Sequence, residues 1–389
     1  MDCFDTAEEM AKSKTSRPRT RRSKRLKKLV YNALIVFALW IIYSSIAHWY
    51  PFSAPITPAR SYPPPPYNLR TGPDHLLHFK HRSDCPVSSH SILTTVQPYC
   101  TNTTALLESI SGGGRIGFDA PYVPRGCGMK WYNTKEVCEV LGRWGKIAVT
   151  GDSMMRHMVG ALNVLVREDL GYGAVTDWNF SEEEKEQCFC LTQFNVKSCS
   201  VQGIFKTADV EKNDPSSLAC GLGKINVFIE QIVQHPIPKD ELSRLITALT
   251  INSSAKPTAL LYGMGLWNDL SLPSAKSWLE EIESALITAS PPNSNSLTDV
   301  PRLFITPNAA GKEKLDDFIV KQGDKQLQIY EEGIRRLGEE KGFQTLGTWN
   351  STVQIRKWDG VHVDLRGNLL KAMMVVNWLD LVWKERFGG

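Results

Sequence analysis

At 389 residues, 42% hydrophobic and with 11 Trp, 11 Tyr and 14 Phe, the chain can bury a sizeable core, which excludes full-length disorder. Its formal net charge of +4 is unevenly placed: ten of the 45 basic residues lie between Lys12 and Lys28 and the remainder is close to neutral, so the charge balance implies no nucleic-acid partner. A multi-span transporter is excluded as well, because a single stretch is apolar and long enough to cross a bilayer.

That stretch, Leu29 to Ala47, follows the basic tail directly, has no charged residue, and approaches the ~20 residues that span a hydrocarbon core. His48, Trp49 and Tyr50 come next, as at a membrane interface. A secretory signal has a shorter apolar run and a small-residue cleavage site, so the expectation is one permanent transmembrane helix over residues 29–49. The positive-inside rule then puts tail 1–28 in the cytosol and the rest in the lumen, as a single-pass type II protein of the Golgi or another secretory-pathway membrane. Residues 50–83 read as a lumenal stem, with eight prolines between Pro51 and Pro73 acting as a semi-rigid spacer. Residues 84–389 read as the catalytic domain.

Beyond the anchor lie Cys85, Cys100, Cys127, Cys138, Cys188, Cys190, Cys199 and Cys220. An even number in an oxidising lumen implies up to four disulfides, with the connectivity open. The spacing of Cys188, Cys190 and Cys199 matches no standard zinc pattern, so no metal or other cofactor is expected. The sequons at Asn102, Asn179, Asn252 and Asn350 all fall on the same side of the anchor.

Apolar runs at Lys146 to Thr150, Ile225 to Ile229, Thr258 to Tyr262, Arg302 to Thr306 and Phe343 to Leu346 predict strands. Helical periodicity covers Met154 to Arg167, Asp240 to Leu249, Ala275 to Thr288, Lys314 to Glu340 and Leu365 to Lys384. Such alternation predicts an α/β fold, a three-layer α/β/α arrangement around a mostly parallel sheet, with functional groups where loops leave the strands' carboxyl ends.

The exit of the first strand reads Gly151-Asp152-Ser153-Met154-Met155-Arg156. A glycine allows a tight turn, and a serine opening a helix sits among orphan amides that suit an oxyanion, although Asp or Ser there is also a plain helix cap. Before the last helix, Asp359 and His362 stand three apart in a loop. An imidazole that takes a hydroxyl's proton, oriented by an acid, makes serine a nucleophile, whereas alone each is an ordinary surface residue. A third segment, Gly263 to Asp269, contains Gly265 and Asn268, whose amide could donate to the same oxyanion or could simply belong to a turn.

Gly151-Asp152-Ser153, Gly265 to Asn268 and Asp359-x-x-His362, in that order, resemble the SGNH (GDSL-like) hydrolase superfamily. The match of Gly151 to Arg156 to G-D-S-x-x-R resembles its PC-esterase branch, which includes plant trichome-birefringence-like polysaccharide O-acetyltransferases. The resemblance covers roughly residues 120 to 389. It implies that Ser153 is the nucleophile, His362 the general base and acid, and Asp359 its orienting partner. The Ser153 amide and Asn268 would form the oxyanion hole, Gly151, Gly265 and Asp152 would shape the turns, and Arg156 would brace the loop or touch an acidic substrate. The superfamily's second oxyanion glycine falls on no single residue: Gly173, Gly203 and Gly223 are candidates. His157 adjoins the motif without belonging to it.

The function so implied is lumenal acyl (acetyl) transfer from an unidentified acyl donor to a glycan or polysaccharide acceptor. The alternatives are a carbohydrate esterase with the same triad and a non-catalytic glycan-binding relative. A glycosyltransferase would share the topology, but the chain has no D-x-D motif.

Overall fold

A computed structural model describes residues 31–32, 34–35, 40, 72–175, 181–195, 199, 206–213, 216, 218–250, 256–289 and 300–388. The chain divides into two compact units, Met1–Pro66 and Tyr67–Gly389, and the first lies almost wholly outside the described residues. So does the predicted anchor at 29–49, of which residues 31–32, 34–35 and 40 are described, as helix. Among the described residues no helix is long and apolar enough to cross a membrane.

The second unit begins ahead of the predicted domain start at residue 84. Leu76 and Phe79 are buried in its core and Lys80 bridges to Asp169, so the end of the predicted stem packs onto the domain.

Five strands form one sheet: β1 (Lys146–Gly151), β2 (Val227–Gln231), β3 (Thr258–Gly263), β4 (Arg302–Ile305) and β5 (Gln344–Leu346). Their order is β2-β1-β3-β4-β5 and every pairing is parallel, as the alternation of elements predicts. Side chains alternate between two cores. Ile147, Val149 and Leu261 face one, with α1 (Thr103–Gly112), α2 (Thr134–Gly142), α3 (Ser153–Arg167) and the last helix. Ala148, Leu260 and Phe304 face the other, with α4 (Lys239–Thr250) and α5 (Leu272–Ala289). Because both faces are covered, the centres of β1 to β4 are apolar on both faces rather than alternating, and the fold is a three-layer α/β/α sandwich.

The predicted helix from Lys314 to Glu340 is two helices, α6 (Asp316–Gln322) and α7 (Asp324–Lys341), parted by Gly323 in an extended conformation. The break frees Lys321 and Gln322 to reach the turn after β3: Lys321 pairs with Asp269 at 2.7 Å, and Gln322 Nε2 donates to the Leu266 carbonyl at 2.8 Å. The final helix, α8 (Leu365–Arg386), is buried along most of its length, packs against α3, and is capped by Asp364, which accepts the Gly367 amide at 3.2 Å.

Four disulfides join Cys85–Cys190, Cys100–Cys127, Cys138–Cys220 and Cys188–Cys199. The cysteines weighed as zinc ligands are therefore bridge partners. Chain-entropy reasoning ranks the bridges by the loop each closes, 82 residues for Cys138–Cys220 and 11 for Cys188–Cys199. Removing the first pair by serine substitution is expected to cost about 2 kcal/mol more stability than removing the second. Urea unfolding of the two double variants measures the difference, and equal losses would refute the ranking.

Candidate active site

The site assembles where β1 and β3 end side by side. Gly151 pairs with Gly263 and has φ +151°; a Cβ there would collide with the Gly263 carbonyl oxygen, so the residue leaving β1 must be glycine. Asp152 follows in an extended conformation and caps α3, its carboxylate accepting the Met154 amide at 2.9 Å. Ser153 thus becomes the first residue of α3, beside amides that have no intrahelical partner.

The loop before α8 supplies the other two groups. Asp359 Oδ1 accepts the backbone amides of Val361 and His362 at 2.9 and 2.8 Å, a local turn that fixes the carboxylate. Its Oδ2 accepts from His362 Nδ1 at 2.5 Å, and His362 Nε2 lies 2.6 Å from Ser153 Oγ. This pattern assigns the ring proton to Nδ1 and leaves Nε2 to accept the serine hydroxyl. Burial alone would raise the Asp359 carboxyl, but the bonds from the His362 ring and the two amides outweigh it and hold the group below the ordinary carboxylate range.

Two more rings flank the imidazole. Trp358 stacks on His362 with centroids 5.8 Å apart and planes 21° apart, and His157 lies 4.7 Å away at 47°. His157 stands one helical turn beyond Ser153, which sets both on the same face of α3. Burial, with the His362 ring, Arg156 and Lys371 around it, pushes its basicity well below that of free histidine, so it stays neutral. Helical spacing from Ser153 was the signal in the sequence that could have found it.

The remaining predicted residues divide. Gly265, at φ +158° and close against Pro307 and Tyr330, makes the turn after β3. Asn268 lies in the short 3₁₀ helix Leu266–Asn268, but its amide nitrogen rests 3.9 Å from Met264 Sδ, its side-chain oxygen is buried without a hydrogen-bond partner, and no hydrogen bond joins it to Ser153. Leu266 and Trp267, rather than Asn268, line the cleft. Arg156 is buried and does not line it either; burial lowers its guanidinium to about 10, with Asp152 opposing, which fits bracing. The Gly173 amide donates to the Asp169 carbonyl and the Gly223 amide to Glu211, so neither is available to an oxyanion, and Gly203 lies outside the described residues.

Ser153, His362 and Asp359 open into a cleft of about 420 Å³. Leu266, Trp267, Leu315 and Phe318 make its apolar wall, and Lys314 and Asp269 add charge at its edge. Trp267 is 69% exposed.

No family model and no curated protein matches the chain. Among solved structures it is similar to a carbohydrate acetylesterase family member from Sinorhizobium meliloti, with 17% identity and a TM-score of 0.31 over 63% of this chain and 100% of that one. A likeness at that level carries no argument, so the site stands on its own geometry.

Gly151→Ala tests the turn. The strained φ and the collision with Gly263 are expected to cost roughly 1 to 3 kcal/mol of stability, read from urea unfolding. A variant as stable as the parent would mean that the turn does not depend on glycine.

Proposed function

We propose that the chain is a serine-dependent acyl esterase or acyltransferase acting on carbohydrate hydroxyls through an acyl-enzyme at Ser153. One observation carries the reading: the unbroken line from Asp359 through His362 to Ser153, with hydrogen bonds of 2.5 and 2.6 Å, at the mouth of an open cleft. The two donor–acceptor pairs have the spacing that lets a serine hydroxyl pass its proton to an imidazole. Such a complete relay is unneeded by a glycan-binding relative without catalysis.

In this mechanism Ser153 Oγ attacks the ester carbonyl as His362 Nε2 takes its proton. The oxyanion forms beside the amino terminus of α3, where the Ser153 amide donates to it. Collapse breaks the ester C–O bond, and the departing alkoxide takes the proton from His362. Water or a sugar hydroxyl then attacks the acyl-serine, again losing its proton to His362, and Ser153 is restored. Asp359 stays ionised throughout and stabilises the imidazolium. For Asn268 to serve as a second oxyanion donor, its amide must turn away from Met264.

Ser153→Ala and His362→Ala are each expected to abolish acyl-enzyme formation from an activated acetyl ester, and the double variant should lose little beyond either. Asp359→Asn should fold normally and react roughly 10⁴-fold more slowly. Acetate release and acetylated polymer, measured with and without polysaccharide, separate hydrolysis from transfer. Full activity in Ser153→Ala would refute the assignment.

The proposed setting is the lumen, with the chain held by residues 29–49. Asn102 is exposed and caps α1 through its side-chain oxygen, which accepts the Ala105 amide at 2.8 Å and leaves the amide nitrogen available for a glycan. Asn350 instead donates its amide nitrogen to the Ser111 carbonyl at 2.7 Å. Endoglycosidase should therefore shift the expressed protein on a gel, and Asn102→Gln should remove more of that shift than Asn350→Gln. No shift at all would count against the lumenal setting.

A further inference from the structure

Behind the triad lies a buried cation that the mechanism does not use. Lys371, on the second turn of α8, is 2% exposed. Its Nζ donates to Asn308 Oδ1 at 3.2 Å, and Asn308, itself buried, donates through Nδ2 to the Val361 carbonyl at 3.0 Å. Val361 precedes His362, so the chain of bonds ends on the loop that presents the imidazole. Lys371 also shares a small cavity with Asp152, which caps α3 next to the nucleophile.

We propose that Lys371 is a positioning residue for this centre, holding the His362 loop through Asn308 and supplying the counter-charge to Asp152 beside Ser153. The inference rests on the acyl-transfer reading of Ser153. Packing alone would be met by a methionine, which occupies positions 373 and 374 of the same helix. An ammonium withdrawn from water is costly unless its charge is answered, and here the answering charge is Asp152. Without the ammonium, the Asp152 carboxylate beside the developing oxyanion would lose its lysine counter-charge and keep the amides of α3 and the nearby His362 ring.

The charged and titratable groups around Lys371 are Asp152 and His157 from α3 and Lys357 from the loop before α8. Burial brings the Lys371 ammonium down to about 8, with Asp152 opposing and Lys357 adding to the fall. The cation is present below that pH and is lost as pH rises through it, so the reaction should slow over the same range.

The test uses a fluorophosphonate, which forms an Oγ–P bond at Ser153 as P–F breaks and the serine proton leaves through His362. The wild-type labelling rate is expected to fall as pH rises through about 8. Lys371→Met should label roughly tenfold more slowly at neutral pH and lose that fall. Lys371→Arg, whose guanidinium does not titrate, should also lose the fall while keeping more of the rate. Lys357, likewise brought to about 8 by burial, is the rival source of such a limb. A wild-type profile without the fall overturns the proposal, as does a fall that survives in Lys371→Met and disappears in Lys357→Met. Should Lys371→Met fail to fold, Lys371→Arg and the wild-type profile decide.

Absence of any wild-type labelling would sink the acyl-transfer reading instead. The hold on the loop is then read separately, from hydrogen exchange of the Val361 and His362 amides that bond to Asp359. Their protection should drop roughly tenfold in Lys371→Met, and unchanged protection overturns the proposal.

Discussion

No side chain fits between Gly151 and Gly263, and the site is built on that contact. The ends of β1 and β3 approach so closely that the chain leaving β1 must turn without a Cβ, which places Asp152 and Ser153 directly over the crevice. The strand order explains why the crevice is there. In the order β2-β1-β3-β4-β5, connections from β1 and β3 leave toward opposite faces of the sheet, and the gap between them is where α/β folds bind ligands. The loop carrying Asp359 and His362 reaches the same gap from the start of α8, whose packing against α3 sets the distance between His362 and Ser153.

Charge is the second constraint, since the groups at the base of the cleft are largely out of water. Three charged groups near the site are answered partly by neighbours in sequence and partly from other elements. Asp359 is met by two backbone amides and the His362 ring, Asp152 by the Met154 amide and by Lys371, and Arg366 is held by both Asp364 and Asp119. His157 has no need of an answering charge, because burial keeps it neutral. The arrangement leaves His362 between Ser153 and Asp359 with a neutral His157 beside it.

Much of this was legible in the sequence where the signal was local. The apolar runs are strands because buried parallel strands must be apolar on both faces, and the GDS turn and the Asp359–His362 pair are readable because each is set by backbone within a few residues. What depended on tertiary contact was not. Asn268 looked like an oxyanion donor from its place after β3, yet its side chain packs back on Met264. The helix break at Gly323 has its reason in the distant turn at Leu266 and Asp269, which Lys321 and Gln322 reach. Nothing local marks Lys371, which only the fold brings behind Asp152. The cysteine partners, up to 105 residues apart, could be counted but not paired.

In the proposed mechanism, the fate of an acyl group on Ser153 is decided outside the triad. There His362 would take the proton of either water or a sugar hydroxyl, so the partition would depend on which one occupies the cleft when the acyl-serine stands. The wall formed by Leu266, Trp267, Leu315 and Phe318 offers water few hydrogen bonds and offers a sugar's apolar face a surface to cover. That wall is held in place by Lys321 and Gln322 of α6, which grip the turn after β3. The break at Gly323, which costs the chain a longer helix, thereby shapes the cleft wall, while Ser153, His362 and Asp359 are set by other elements.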